Sequence, residues 1–193
     1  RDRFETCHRQ YSLAVPFMEL IFKLVRRGAA DRSVGFTGQI TANSFMKREF
    51  GKKLIQEHLS SEVDLTHVID TSGAYIPGHG TPTVILFGRN RSPVGNTLRA
   101  VMGIRGEPSS PDVPAEGLVW SSIEQLIDSA GAENDYISVD NVDRERLNTH
   151  PWSLQGGGAD GFAADERGHL ARPLVARQPP DGRLGAFAFD VLL

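Results

Sequence analysis

The chain has 193 residues, of which 39% are hydrophobic and 23% charged, so it can bury a core and is not a wholly disordered protein. A single cysteine, Cys7, excludes an internal disulfide, and we expect a reducing, cytoplasmic location. No apolar run reaches the length of a membrane span, so no membrane partner is expected. The chain begins with Arg1 instead of methionine, and we expect it to be a segment of a longer protein.

The net charge of −3 hides an uneven distribution of charge along the chain. Residues 1–106 carry 15 Lys and Arg against 9 Asp and Glu, whereas residues 107–193 carry 6 against 15. A basic part joined to an acidic part is typical of proteins that bind a polyanion. Uneven surface charge also occurs without a function, and charge alone does not separate the two interpretations.

The hydrophobic pattern predicts alternating helices and strands in the first half. Apolar residues at three- and four-residue steps predict a helix over 10–27 that is apolar on nearly all sides and therefore buried. An amphipathic helix is predicted over 44–59. Strands are predicted at 34–40, 65–70, 82–88 and 97–104. This order indicates an α/β sheet, in which the third predicted strand follows the second through a loop without a helix and forms an antiparallel hairpin at the sheet edge.

The composition changes after Gly106. A Pro-rich linker is predicted over 107–120, followed by a short helix at 121–129 and a strand at 136–142. Neither hydrophobic period is sustained from about residue 156, and we expect 156–193 to be a poorly ordered tail.

No self-sufficient catalytic motif is present. The sequence lacks the glycine-rich nucleotide-binding motifs, the nucleophile elbow and the Cys or His spacings of metal sites, so we predict no catalytic residue and no metal ligand in the chain. His67 lies inside a predicted strand and is expected to be a packed side chain. Cys7 beside His8 is expected to be an ordinary thiol.

Three segments carry candidate binding residues. Asn43 follows the first predicted strand, where α/β sheets collect ligands, although helix capping alone would also explain it. Tyr75, with Pro77 beside it, lies in a glycine-rich loop at 70–83, where an aromatic ring can stack on a nucleobase or instead fold back onto the core. A basic set, suited to phosphates or to a solvated helix face, consists of Lys47, Arg48, Lys52, Lys53, Arg89 and Arg91.

Two phrases, ITANSFMKREFGKKL at 40–54 and IDTSGAYIPGHGTPTVILFGR at 69–89, resemble the adenine-specific DNA methyltransferases of the Eco57I-like, type IIG-like group, especially those of BREX (phage growth limitation) defence systems. The resemblance covers about residues 1–155. It implies the C-terminal part of a class I, Rossmann-like methyltransferase sheet with an antiparallel edge hairpin. Residues 1–106 would be the C-terminal half of the catalytic domain, with its fifth, sixth and seventh strands, and 121–155 would begin a target-recognition or accessory region.

The resemblance also implies a function. Family members transfer a methyl group from S-adenosylmethionine to the N6 amine of a flipped adenine in double-stranded DNA, and they act in restriction-modification or BREX phage defence beside other defence proteins. Tyr75 matches the aromatic that packs on the flipped base, with Pro77 beside it. Asn43 matches a supporting residue near the target pocket, although Ala42 replaces the usual proline.

The chain also departs from the family. The glycine-rich cofactor motif and the Asn-Pro-Pro-Tyr/Phe motif are absent, so we predict that this chain alone neither binds S-adenosylmethionine nor methylates DNA. The tail after about residue 156 does not resemble the family. A frameshifted or truncated gene would produce such a tail. Two alternatives stay open: a non-catalytic DNA-binding or interaction module derived from such a domain, and an unrelated α/β transferase.

Overall fold

The computed structural model describes residues 3–28 and 33–157, so the predicted tail beyond 157 lies outside the described residues. The elements in chain order are helix α1 (Ala14–Leu24), strands β1 (Phe36–Ala42), β2 (Asp64–Asp70), β3 (Thr83–Arg89) and β4 (Thr97–Gly103), helix α2 (Leu118–Leu126), and strands β5 (Ala132–Glu133) and β6 (Ile137–Asp143). The strands predicted from β-branched, alternating runs are confirmed, with ends shifted by one or two residues. The short helix predicted after the linker is confirmed as α2, which begins three residues earlier.

The described strands form one sheet in the order β1-β3-β2-β4-β6-β5. β3 runs antiparallel to both β1 and β2, so the predicted β2–β3 hairpin is confirmed. Its predicted place at the sheet edge is wrong, because β3 lies between β1 and β2, and β2 pairs in parallel with β4 on its other side. β6 is antiparallel to β4 and β5, which makes the described part of this α/β sheet mostly antiparallel.

The two faces of the sheet carry separate cores, because successive residues of a strand point to opposite faces. One face is covered by α1, by the segment between β1 and β2 and by the residues after β6. Its largest fully buried side chains are Trp152, Phe22, Phe45, Met18 and Leu54. The other face is covered by α2, and its buried cluster consists of Ile69, Val101, Val119, Ile123, Ile137 and Val139.

Helix α1 buries only one of its sides. Val15 and Phe22 are almost fully buried, whereas Leu13, Phe17 and Leu24 are 68%, 57% and 74% exposed. The prediction that this helix is buried on nearly all sides is therefore wrong for the described residues. The physical reason is that the sheet contacts a single face of α1, and no other described element covers the opposite one.

The segment 44–59 is not the single helix that its amphipathic pattern predicts. It forms 3₁₀ turns at Asn43–Met46 and Glu49–Gly51, then a π-helical turn at Leu54–Leu59. A Cβ atom added to Gly51 would lie 1.8 Å from the carbonyl oxygen of Phe45, so the backbone folds directly onto itself there. In a continuous helix these residues would be about 9 Å apart along the axis, because each residue rises 1.5 Å.

The sheet continues across the predicted linker. All seven residues of β6 pair with β4, and α2 packs on the face that β6 shares with β4. Residues 121–155 therefore extend the same sheet, and their role as a target-recognition or accessory region stays a prediction. Within 3–28 and 33–157, no helix combines the length and the apolarity needed to cross a membrane.

Candidate nucleic-acid interface

Two segments meet at the end of the sheet that is formed by the C-terminal ends of β1 and β2. They are the turn that begins at Asn43 and the loop at 71–82, which we call the β2–β3 loop. Asn43 Nδ2 donates a hydrogen bond to Ser72 Oγ at 3.0 Å, and the Asn43 backbone N–H donates to the Pro82 carbonyl at 3.0 Å. Asn43 thus ties the turn to both ends of the loop. Asn43 is the first residue of the 3₁₀ turn and Ala42 is its N-cap, so Asn43 does not occupy the position of a capping residue.

The base of the β2–β3 loop is fixed by its own polar groups. Asp70 Oδ1 accepts hydrogen bonds from the backbone N–H of Ser72, at 2.9 Å, and from the Ser72 hydroxyl. The hydroxyls of Thr71 and Thr83 bond each other at 2.7 Å, and both residues are buried. These side chains bond each other instead of converging on an open cavity.

The tip of the β2–β3 loop is a tight turn. The His79 N–H donates to the Ile76 carbonyl at 3.1 Å, with Pro77 and Gly78 between them. Gly78 has a φ of 66°, and Pro followed by such a glycine is typical of a type II turn. Residues 77–80 are exposed, and Tyr75, at the root of this tip, is partly buried. Pro77 therefore lies on the exposed tip of the loop, and Tyr75, two residues before it, lies at the root of that tip.

The six predicted basic residues fall into two groups. Lys47, Arg48 and Lys52 are exposed on the segment that follows Asn43, and Lys53 pairs with Glu57 at 3.9 Å. The other group is Arg89 with Arg91. Because β3 runs away from the β2–β3 loop, its last residue lies about 20 Å from that loop at 3.3 Å per residue. The structure therefore does not bring the six residues onto one surface.

Arg89 and Arg91 surround a buried carboxylate, Asp64. Arg91 Nη2 lies 2.8 Å and Arg91 Nε 2.9 Å from Asp64 Oδ2, and Arg89 Nη1 lies 4.0 Å from the same oxygen. Arg144 Nη2 and the Val94 N–H contact Asp64 Oδ1, each at 3.2 Å. Arg89 and Arg91, which were predicted to contact DNA, thus pair with Asp64 of β2. Arg144 links the same carboxylate to the turn after β6.

His67 is packed, as predicted. Its Nδ1 lies 3.0 Å from Thr66 Oγ1, and its ring meets the edge of Phe87. Burial and the neighbouring Arg99 lower the pKa of His67, so it is neutral at pH 7. In the part of the chain that the structure describes, no group of three or more His, Cys, Asp or Glu is placed to hold a metal ion.

Sequence reasoning missed three residues that fix the β2–β3 loop: Ser72 within the loop, and Glu107 and Trp120 outside it. Ser72 had a signal, because Asp-x-Ser is a common local turn pattern. Glu107 and Trp120 had none: they lie in the predicted linker, yet the Glu107 N–H donates to the Gly73 carbonyl at 2.9 Å and Trp120 Nε1 donates to the Tyr75 carbonyl at 3.2 Å.

Comparison with solved structures gives the class of the fold. The chain is similar to the type IIG restriction endonuclease BpuSI, with a TM-score of 0.50 and 16% identity over 76% of this chain and 16% of that one. It is also similar to a chain of a type I restriction-modification system, with a TM-score of 0.50 and 12% identity over 84% of this chain and 35% of that one. The described residues therefore share the α/β fold of these restriction-modification proteins.

Comparison by sequence is more specific. The chain is 49% identical over 164 residues to the adenine-specific methyltransferase PglX of Streptomyces coelicolor. The chain thus belongs to the same protein family as PglX. The match covers 83% of this chain but 14% of PglX, so the chain spans about one seventh of that relative's length. No family model matches the chain.

Proposed function

We propose that this chain is a segment of a site-specific DNA methyltransferase that methylates the N6 amine of adenine and acts in a BREX or other restriction-modification defence system. The observation that carries the proposal is the 49% identity to the adenine-specific methyltransferase PglX over most of the chain. This match supports a shared function, which a likeness of fold alone would not do.

In this proposal the edge formed by the Asn43 turn and the β2–β3 loop faces double-stranded DNA. Tyr75 stacks on the flipped adenine, and Pro77 borders the same pocket at the exposed loop tip. Asn43 holds the loop against the turn. Lys47, Arg48, Lys52 and Lys53 follow that turn and attract the phosphates of the backbone.

S-adenosylmethionine would supply the methyl group in the complete enzyme. The polar side chains at this end of the sheet, Asn43, Asp70 and Ser72, are already hydrogen-bonded among themselves, and the sequence lacks the glycine-rich cofactor motif. We therefore propose that the cofactor and the groups that accept the adenine amine belong to other parts of the enzyme. The role of this chain is to bind and orient the target base.

Replacing Tyr75 in the full-length enzyme tests the proposal. Loss of one base-stacking contact costs about 1–3 kcal/mol, so Tyr75→Ala should lower kcat/KM for methylation roughly 5- to 150-fold. Tyr75→Phe keeps the ring and should stay near the wild-type rate. A duplex with 2-aminopurine at the target adenine should give a smaller rise in fluorescence with Tyr75→Ala. Unchanged methylation and fluorescence would remove this role from Tyr75.

A second candidate function is a non-catalytic DNA-binding module derived from such a domain. The exposed cations Lys47, Arg48 and Lys52 favour it, as does the absence of the glycine-rich cofactor motif from the sequence. Calorimetry tests what both candidate functions predict: the 193-residue chain should bind a DNA duplex in a salt-dependent manner and should give no saturable heat with S-adenosylmethionine. Methylation of DNA by the full-length protein separates them, because only the methyltransferase gives a methylated product. Saturable cofactor binding would contradict our assignment of the cofactor site to other parts of the enzyme.

A further inference from the structure

The β2–β3 loop is held on a second side by the residues that follow β4. The Gly73 carbonyl accepts the Glu107 N–H at 2.9 Å. A Cβ atom added to Gly73 would lie 2.9 Å from the Gly106 Cα and 3.1 Å from the Arg105 carbonyl oxygen, so the two backbones are in direct contact. The first half of the loop is therefore part of a packed backbone junction.

Helix α2 reaches the same loop through its first turn. Trp120 Nε1 donates to the Tyr75 carbonyl at 3.2 Å, and the indole packs against the buried cluster under α2. Glu107 Oε1 accepts the Val119 N–H at 2.6 Å, which satisfies one of the otherwise unpaired donors at the start of the helix. Glu107 thus binds the loop with its backbone and α2 with its side chain.

We propose that Trp120 and Glu107 are positioning residues for Tyr75, an inference that rests on the proposed function of Tyr75 as the base-stacking group. The Tyr75 peptide lies between the fixed base of the loop and its exposed tip. Within that tip the backbone hydrogen bond from His79 to Ile76 closes only the turn itself. The hydrogen bond from Trp120 therefore fixes the position of the Tyr75 backbone, from which the Tyr75 ring extends.

This arrangement couples two parts of the chain that are far apart in sequence. Trp120 and Tyr75 are separated by 45 residues. A displacement of α2 would change the geometry of the stacking ring, and small errors in the placement of a reacting group lower the rate of the chemical step more than they lower binding. The effect of losing these contacts is thus expected in kcat and not in the KM for DNA.

The test uses the full-length enzyme with paired tryptophan variants. Trp120→Phe keeps a packed ring but removes the N–H donor. Trp152→Phe is the matched control, because Trp152 Nε1 donates to the Leu147 carbonyl at 2.8 Å in the core on the opposite face of the sheet. Loss of one hydrogen bond changes an equilibrium roughly three- to tenfold, so Trp120→Phe should lower kcat by about this factor and leave KM for DNA unchanged. Trp152→Phe, measured per folded molecule, should change neither.

Glu107 allows a second test, in which a conservative variant should restore the activity that truncation of the side chain removes. Glu107→Ala should reduce kcat and the 2-aminopurine signal, whereas Glu107→Gln, which keeps the acceptor oxygen, should restore both. If Tyr75→Ala lowers methylation while Trp120→Phe and Glu107→Ala match the wild type, this inference is wrong and the proposed function stands. If Tyr75→Ala itself has no effect, the base-stacking role fails and this inference fails with it.

Discussion

The cluster around Asp64 gives the sharpest stability prediction. The Asp64 side chain is 3% exposed and the Arg144 side chain 10%, whereas Arg91 and Arg89 are 33% and 41% exposed. Removing the carboxylate leaves the buried charge of Arg144 with the carbonyls of Gly95 and Thr97 and without its anionic partner. Breaking a buried ion pair in this way costs about 3–5 kcal/mol. The more exposed arginines can rehydrate and add little to this loss.

Asp64→Ala is therefore expected to lower the free energy of unfolding of the 193-residue chain by about 3 kcal/mol or more. Urea denaturation followed by tryptophan fluorescence measures the change as a shift of the midpoint at constant m value. Glu57→Ala is the control, since it removes the exposed partner of Lys53, 3.9 Å away, and an exposed pair contributes about 0–1 kcal/mol. A loss for Asp64→Ala no larger than for Glu57→Ala would refute this reasoning.

Two further perturbations test the packing of the first half. Burial raises the pKa of Glu19, but hydrogen bonds from Lys23 and Thr6 outweigh this effect and lower the pKa to about 2. The stability that Glu19 contributes is therefore complete above its ordinary pKa of 4.5 and is lost as the pH falls towards 2. Denaturation experiments at pH 7 and at pH 2.5 should show that Glu19→Gln loses less unfolding free energy between these two pH values than the wild type does. Gly51→Ala should destabilise the chain by about 1–3 kcal/mol, because the new methyl group would meet the Phe45 carbonyl at 1.8 Å; a gain in thermal stability would contradict this.

Gly51 also shows where prediction from the sequence stops. Helix propensity alone predicts that alanine at this position is favourable by about 1 kcal/mol, because glycine is the weaker helix former. The structure reverses the sign, since Gly51 is needed for a close approach of the chain to Phe45. The amphipathic pattern predicted that one side of 44–59 packs on the core, and Leu54 and Ile55 do so, but it did not predict the turns that bring them there.

The strands were predictable because β-branched residues and alternation are local signals. The neighbours of each strand were not, and the candidate site depends on them. Asn43 and Ser72 are 29 residues apart, and their contact follows from the insertion of β3 between β1 and β2. Trp120 reaches Tyr75 only because β4 pairs with β2 and carries the following residues back over the loop. Such contacts are set by topology, which no pattern within a single segment encodes.

The uneven charge of the chain has a different meaning once the partners of each arginine are known. Of the four arginines between residues 71 and 106, Arg89 and Arg91 face Asp64, and Arg99 bonds Asn141 and the Ile127 carbonyl. These groups join strands and loops within the sheet, so an excess of basic residues in the first half does not by itself define a DNA-binding face. The cations Lys47, Arg48 and Lys52 are different, because they are exposed and follow directly on the turn that Asn43 ties to the β2–β3 loop. Their position after that turn, more than the net charge, supports our proposal that this surface binds the DNA backbone and the loop binds a base.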